Sequence, residues 1–145
     1  MYVGAGLILH NAYKQILLVC DARSGRWGFP KGHPEHEDNN LAINTAIREC
    51  REETGMKVVQ DYIIENSSPK RIGKRLYFSG IALRDSFKTF DKDEKEIMDI
   101  RWWTIEELIA NESILNSDLR CWLNKKKRMN RSPTLTGLSG PPLAS

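Results

Sequence analysis

Cysteine is scarce in this chain: Cys20, Cys50 and Cys121 lie far apart, and no Cys-x-x-Cys pair occurs. Neither a disulfide framework nor a thiolate zinc site fits that pattern, and a reducing, intracellular setting is expected. Long apolar runs are missing too. None nears the roughly 20 residues needed to span a bilayer, and the start MYVGAGLILH has no basic lead or cleavage pattern of a signal peptide. No membrane partner is therefore expected, and the protein should be cytoplasmic, with a nuclear location as the alternative. Internal repeats are absent, and 145 residues leave no room for a second domain beside one with a core of its own. The net charge of +3 is small and much of the excess sits near the C-terminus, so global steering toward nucleic acid is weakly indicated.

What is present changes period along the chain. VGAGLILH at 3–10 and QILLVC at 15–20 are short apolar runs around a turn, which predicts two strands. The segment RSGRWGFPKG at 23–32 is rich in Gly and Pro and predicts a loop. Over 41–54, Ile43, Ala46, Ile47 and Cys50 recur at helical spacing and Gly55 supplies a stop. Residues 57–65 predict a strand, 69–75 a basic turn, 76–83 a strand with an apolar face, and 97–103 another strand. Thr104 and Glu107 are spaced as a capping box, and a last helix after Ser117 is expected to bury Leu119, Trp122 and Leu123. The folded domain is expected over 1–128, with 129–145, rich in Pro, Gly, Ser and Thr, as a disordered tail.

The helix at 41–54 carries an odd charge pattern. Glu49, Glu52 and Glu53 stand at i, i+3 and i+4, so three carboxylates share one face, away from the apolar stripe. Like charges at that spacing repel by a few tenths of a kcal/mol per pair. A hard divalent cation would reverse the sign, and magnesium completes a partial carboxylate shell with water and phosphate oxygens. The bland alternative is a solvated face on which Arg48 and Arg51 compensate the acids.

The surrounding residues favour the first. From Gly32 the chain runs five residues to Asp38, nine more, then Arg48-Glu-Cys-Arg-Glu-Glu-Thr-Gly-Met56. This resembles the Nudix box: Gly, five residues, Glu, seven residues, Arg-Glu, an apolar residue, any residue, Glu-Glu, any residue, Gly, an apolar residue. The second half matches throughout. In the first half Asp38 replaces Glu, two extra residues precede Arg48, and the family's Glu position counted back from Arg48 is Asn40. The segments 27–33 (WGFPKGH), 4–8 (GAGLI) and 99–108 (DIRWWTIEEL) also look like Nudix segments in the family's order.

The resemblance implies an α/β fold, the Nudix α/β/α sandwich with a mixed sheet between helices. It also implies a Mg2+-dependent hydrolase, with Mn2+ as a substitute, that cleaves the diphosphate of a nucleoside diphosphate linked to another moiety. Carried over by position, Glu49, Glu52 and Glu53 would bind metal together with the Gly32 carbonyl, and Glu52 and Glu53 would belong to the catalytic set. Glu96, six residues before Trp102, stands where the family commonly adds a metal ligand or general base, with Asp93 and Glu94 as neighbours and rivals. Arg48 would be a structural clamp whose partner is Glu37, Asp38 or none; residues 38–40 alternatively offer helix N-caps. Lys31 and His33 would meet substrate phosphate. Lys70 and Arg71, with Lys74 and Arg75, would hold a polyphosphate or an RNA backbone, unless the hairpin tip is charged for solubility alone. The partner is then a small nucleotide or polyphosphate, with capped RNA as the alternative substrate and a silent nucleotide-binding module as a third possibility.

Overall fold

The computed structural model describes residues 2–85 and 96–131, without the side chains of the last two. Eight strands form one mixed sheet: β1 (Ala5–His10), β2 (Ile16–Asp21), β3 (Trp27–Gly28), β4 (Lys31–Gly32), β5 (Tyr62–Ile64), β6 (Lys70–Ile72), β7 (Arg75–Ala82) and β8 (Ile97–Trp103). The helices are α1 (Ala42–Thr54), α2 (Ile105–Ala110) and α3 (Ser117–Arg131). The path through the sheet is β3-β2-β1-β7-β5, with β4 on β1, β6 on β7 and β8 on β2. The β1–β7 pair is parallel, Ala5 facing Leu76 through His10 facing Ile81, and the other strand pairs are antiparallel.

The central strands are apolar on both faces because helices cover both. Leu7, Leu9, Leu17 and Val19 point to the side where Ala46 and Cys50 of α1 and Met56 pack. Ile8, Ile16 and Leu18 point to the other, against Leu108 of α2 and Leu119, Trp122 and Leu123 of α3. The strands at 5–10, 16–21 and 97–103, the capping box and the final helix form where the pattern predicts. Thr104 Oγ1 accepts from the Glu107 amide and Glu107 Oε1 from the Thr104 amide.

Four local expectations need correction. The strand expected over 57–65 is confined to Tyr62–Ile64, because Asp61 accepts the Lys57 amide and Val59 takes φ +78°, which folds 57–61 into a turn. The loop at 23–32 contributes two short strands, β3 and β4, which pair with β2 and β1. The basic turn at 69–75 is itself a hairpin: Lys70–Ile72 pairs with Arg75–Tyr77, and only Gly73 and Lys74 make the reversal. Finally, residues 38–40 do not cap α1, whose N-cap is Leu41 with no side-chain bond. The tail expected over 129–145 begins later, because α3 continues to Arg131, and 132–145 lie outside the described residues.

Candidate active site

Arg48 organises the start of the site. Its Nε and Nη2 donate to the two oxygens of Asp38, each at 2.9 Å, and both side chains are almost wholly buried, at 6% and 2% exposure. Asp38 also accepts from Thr45 Oγ1 and the Glu35 amide. The Arg48 guanidinium, hydrogen-bonded to it, holds the Asp38 carboxyl down at about 2; Thr45 and Glu35 act in the same direction, and burial opposes them. Among the candidates for the clamp, Asp38 is therefore the partner. The chain reaches α1 from there through Asn39 and Asn40, both left-handed at φ +54° and +59°. Asparagine tolerates that region better than most residues.

The same guanidinium reaches the acidic face. Nη1 lies 3.1 Å from Glu49 Oε2, 3.3 Å from Glu52 Oε1 and 3.7 Å from Glu35 Oε2, and Nη2 also donates to the His33 carbonyl at 2.9 Å. One cation thus joins the helix carboxylates to the strand that carries Gly32. Glu53 Oε1 accepts the Lys31 amide at 3.2 Å. Glu49 is seated so tightly on Gly32 that a Cβ there would stand 2.0 Å from its carboxyl carbon. Glycine at 32 is required by this approach rather than by an unusual backbone angle.

These residues open onto a cleft of about 640 Å³. Its walls include Lys31, Gly32, His33, Glu49, Glu53 and Glu96 from the expected set. Glu52 is not on that wall and joins the group through Arg48 Nη1. His33 Nδ1 lies 3.4 Å from the Val3 carbonyl. Glu96 is exposed, and its carbonyl accepts the Ala22 amide at 2.7 Å, which ties the start of β8 to the end of β2. Asp93 and Glu94 lie outside the described residues.

Lys70 and Arg71 are exposed on β6 and do not line the cleft. Arg75, next along the hairpin, does, together with Asp118 at the start of α3. Asp118, Glu35, Arg23 and Asn116 belong to the cleft but escaped sequence reasoning; Glu35 precedes Asp38 in an acidic loop, which is the only signal any of them carried.

The donor set suits a hard cation. All its candidate groups are oxygens: the Glu49, Glu52 and Glu53 carboxylates and the Gly32 carbonyl, with Glu96 also lining the cleft. Among the described residues no three acidic or imidazole groups converge into a closed ligand cage. Magnesium does not demand one, since it keeps waters and takes substrate phosphate oxygens.

The NUDIX domain family model matches residues 2–124. The chain belongs to the Nudix family. It is 32% identical over 120 residues to mRNA-decapping enzyme subunit 2 of Arabidopsis thaliana, a match that takes in 77% of this chain and 31% of that protein. It is 30% identical over 125 residues to the m7GpppN-mRNA hydrolase of Saccharomyces cerevisiae, covering 83% of this chain and 12% of the yeast protein. This Nudix chain thus spans a third or less of the length of those curated relatives. Its fold resembles a Caenorhabditis elegans Ap4A hydrolase in a binary complex, with TM-score 0.67, 18% identity and coverage of 89% and 98% of the two chains. It also resembles a Nudix-family hydrolase from Clostridium perfringens, with TM-score 0.68, 13% identity and coverage of 86% and 94%. Both bear out the mixed sheet between helices. No helix among the described residues is long and apolar enough to cross a membrane.

Proposed function

We propose that this Nudix protein is a divalent-metal-dependent pyrophosphohydrolase that cleaves a phosphoanhydride bond in a nucleoside diphosphate linked to a further moiety, of the nucleotide or dinucleoside polyphosphate type. The observation that carries this is the pinning of two carboxylates of α1 to the wall of one cleft, Glu49 against Gly32 and Glu53 on the Lys31 amide. A structural helix face has no need to be fixed against a strand in that way.

Glu49, Glu52, Glu53 and the Gly32 carbonyl would hold Mg2+ or Mn2+, with Glu96 as a further carboxylate lining the same cleft. Such an ion, when bound, neutralises the phosphate oxygens and lowers the pKa of bound water. The chain's own part is orientation. Arg48 holds Glu49 and Glu52, the Lys31 amide holds Glu53, and the bond from Arg48 to the His33 carbonyl ties the end of β4 to α1. Lys31 and His33 on the wall would meet the phosphate chain, and Glu53 or Glu96 would take the proton of the attacking water.

A specific observation favours a second substrate. The curated relatives given above include an m7GpppN-mRNA hydrolase, and Lys70 and Arg71 lie on a hairpin packed against α3, outside the cleft. A capped RNA is therefore the alternative substrate, its 5′ polyphosphate in the cleft and its backbone on the basic hairpin. A cytoplasmic setting fits either substrate.

The test is a phosphate and nucleotide release screen with Mg2+ over nucleoside triphosphates, dinucleoside polyphosphates, nucleotide sugars, diphosphoinositol phosphates and capped RNA, with Glu53→Gln alongside. The variant is expected to lose activity by on the order of 100-fold. Equal turnover by both proteins would show the site to be wrong, and inactivity of the native chain on every substrate would remove the enzyme assignment.

A further inference from the structure

Asp38 is held by more than its arginine. Its Oδ2 takes three donors: Arg48 Nη2 at 2.9 Å, the Glu35 amide at 2.9 Å and the Thr45 hydroxyl at 2.7 Å. Thr45 Oγ1 in turn lies 2.6 Å from the hydroxyl of Tyr2, in the residues ahead of β1. An ionised carboxylate only accepts, and a threonine hydroxyl carries a single hydrogen. Because Thr45 gives that hydrogen to Asp38, the 2.6 Å contact is made with the hydrogen of Tyr2, and the order is fixed: Tyr2 donates to Thr45, and Thr45 donates to Asp38. Water has little access to replace either bond, since Thr45 is 0% and Tyr2 9% exposed. The Tyr2 ring belongs to the apolar cluster that includes Ala5, Ala46 and Cys50, so it is seated independently of its hydroxyl.

Thr45, Arg48, Glu49 and Glu52 stand at i, i+3, i+4 and i+7 on α1, so these bonds run along one face of the helix. Asp38 occupies Nε and Nη2 of Arg48, and Nη1 is the group turned to Glu49 and Glu52. A guanidinium released from Asp38 would be able to turn its two-pronged edge onto those carboxylates, the geometry that binds them most strongly. It would then compete with any cation they hold. How firmly Asp38 is fixed therefore sets how far Arg48 engages two of the candidate ligands, and the Thr45 hydroxyl makes the shortest of the three bonds to Asp38 Oδ2. Hydrogen bonds in series polarise one another, so the Tyr2 donor strengthens the one from Thr45.

We propose that Tyr2 and Thr45 are positioning residues of the metal site: the relay from Tyr2 through Thr45 and Asp38 keeps Arg48 from gripping Glu49 and Glu52 in full, and so leaves those carboxylates to a divalent cation. This rests on the metal-dependent function proposed above, and it adds to the site a residue 43 positions before Thr45 in the chain. Neither Tyr2 nor Thr45 lines the cleft, so both act through Arg48 and not on the substrate.

Mn2+ binding to the full chain, read by electron paramagnetic resonance of the free ion, tests this without turnover. Tyr2→Phe keeps the ring and removes only the hydroxyl, and affinity for Mn2+ is expected to fall by about 3-fold, the scale of one neutral hydrogen bond. Thr45→Val should lower it by about 10-fold and Thr45→Ser, which keeps the hydroxyl, by less than about 2-fold, as befits a group that orients metal ligands. Tyr2→Phe should have no further effect in the Thr45→Val background, where the relay is already broken. Gly55→Ala, at the other end of α1 and outside the relay, should lower the melting temperature yet keep the native Mn2+ affinity, which separates positioning from loss of stability. Native affinity in both Tyr2→Phe and Thr45→Val, no rescue by Thr45→Ser, additive effects of the two changes, or an equal loss in Gly55→Ala would overturn the proposal; weakened binding by Glu53→Gln in the same series would leave the metal site standing. Failure of the native chain to bind Mn2+ would instead remove the metal site, and the relay's role with it.

Discussion

Asp38 is held almost dry by a bidentate arginine, and its acidity records the cost of disturbing that pair. Its folded pKa, about 2, lies below the ordinary 3.8. The sign follows directly: stability from this pair is fully present above the unfolded value and is lost as pH falls from about 3.8 towards 2. Acid unfolding followed by circular dichroism should therefore steepen in that window, and Asp38→Asn should flatten it. Removing the carboxylate altogether, as Asp38→Ala, leaves Arg48 with its Glu35, Glu49, Glu52 and His33 carbonyl contacts and should cost about 3 kcal/mol in a denaturant titration. Gly32→Ala should behave differently. The group in its way is the end of a flexible side chain, so Glu49 can swing aside at little expense in stability. The expected result is a melting temperature within a few degrees of native beside an enzyme whose metal requirement rises by about 10-fold.

Helix α1 carries the three glutamates of the proposed site, and its C-terminal cap explains why it stops where it does. Gly55 sits at φ +77° and its amide bonds the Arg51 carbonyl, while Thr54 Oγ1 accepts the Met56 amide and donates to the Cys50 carbonyl. Cys50 itself is fully covered; burial pushes its thiol up to about 12, so this cysteine packs as a small apolar group. A Cβ at position 55 would strain the left-handed cap, and Gly55→Ala should lower stability by about 1 kcal/mol, read as a shifted denaturation midpoint. Activity at saturating metal should follow stability here, because position 55 holds none of the ligand atoms. The start of the helix is less legible in the sequence. Periodicity marks its apolar stripe, but Asp38 does not cap α1, because its carboxylate accepts from Arg48 ten residues on and from the Glu35 amide.

At the scale of the whole molecule, charge is sorted into separate surfaces. The cleft gathers Glu49, Glu53 and Glu96 together with the Arg75–Asp118 pair, whereas Lys70 and Arg71 are exposed on β6 beside α3. If capped RNA is a substrate, Lys70→Glu with Arg71→Glu should reduce RNA affinity and flatten its dependence on salt by about two contacts. A filter-binding series over salt concentration reads this. An unchanged salt slope would remove the hairpin from RNA recognition without touching the cleft.

The sequence by itself determined the family resemblance, the apolar strands, the final helix and the common face of Glu49, Glu52 and Glu53, because each depends on spacing within one element and local periodicity encodes it. It also held both halves of the clamp, but not their pairing, since Asp38 and Arg48 meet only through two left-handed asparagines whose path no periodicity predicts. The tertiary structure alone decided that Arg75, not Lys70 or Arg71, reaches the cleft, and that Asp118 holds it there. Adjacent residues of a hairpin alternate sides, and which side meets the substrate space depends on where α3 packs, a contact between segments more than 40 residues apart.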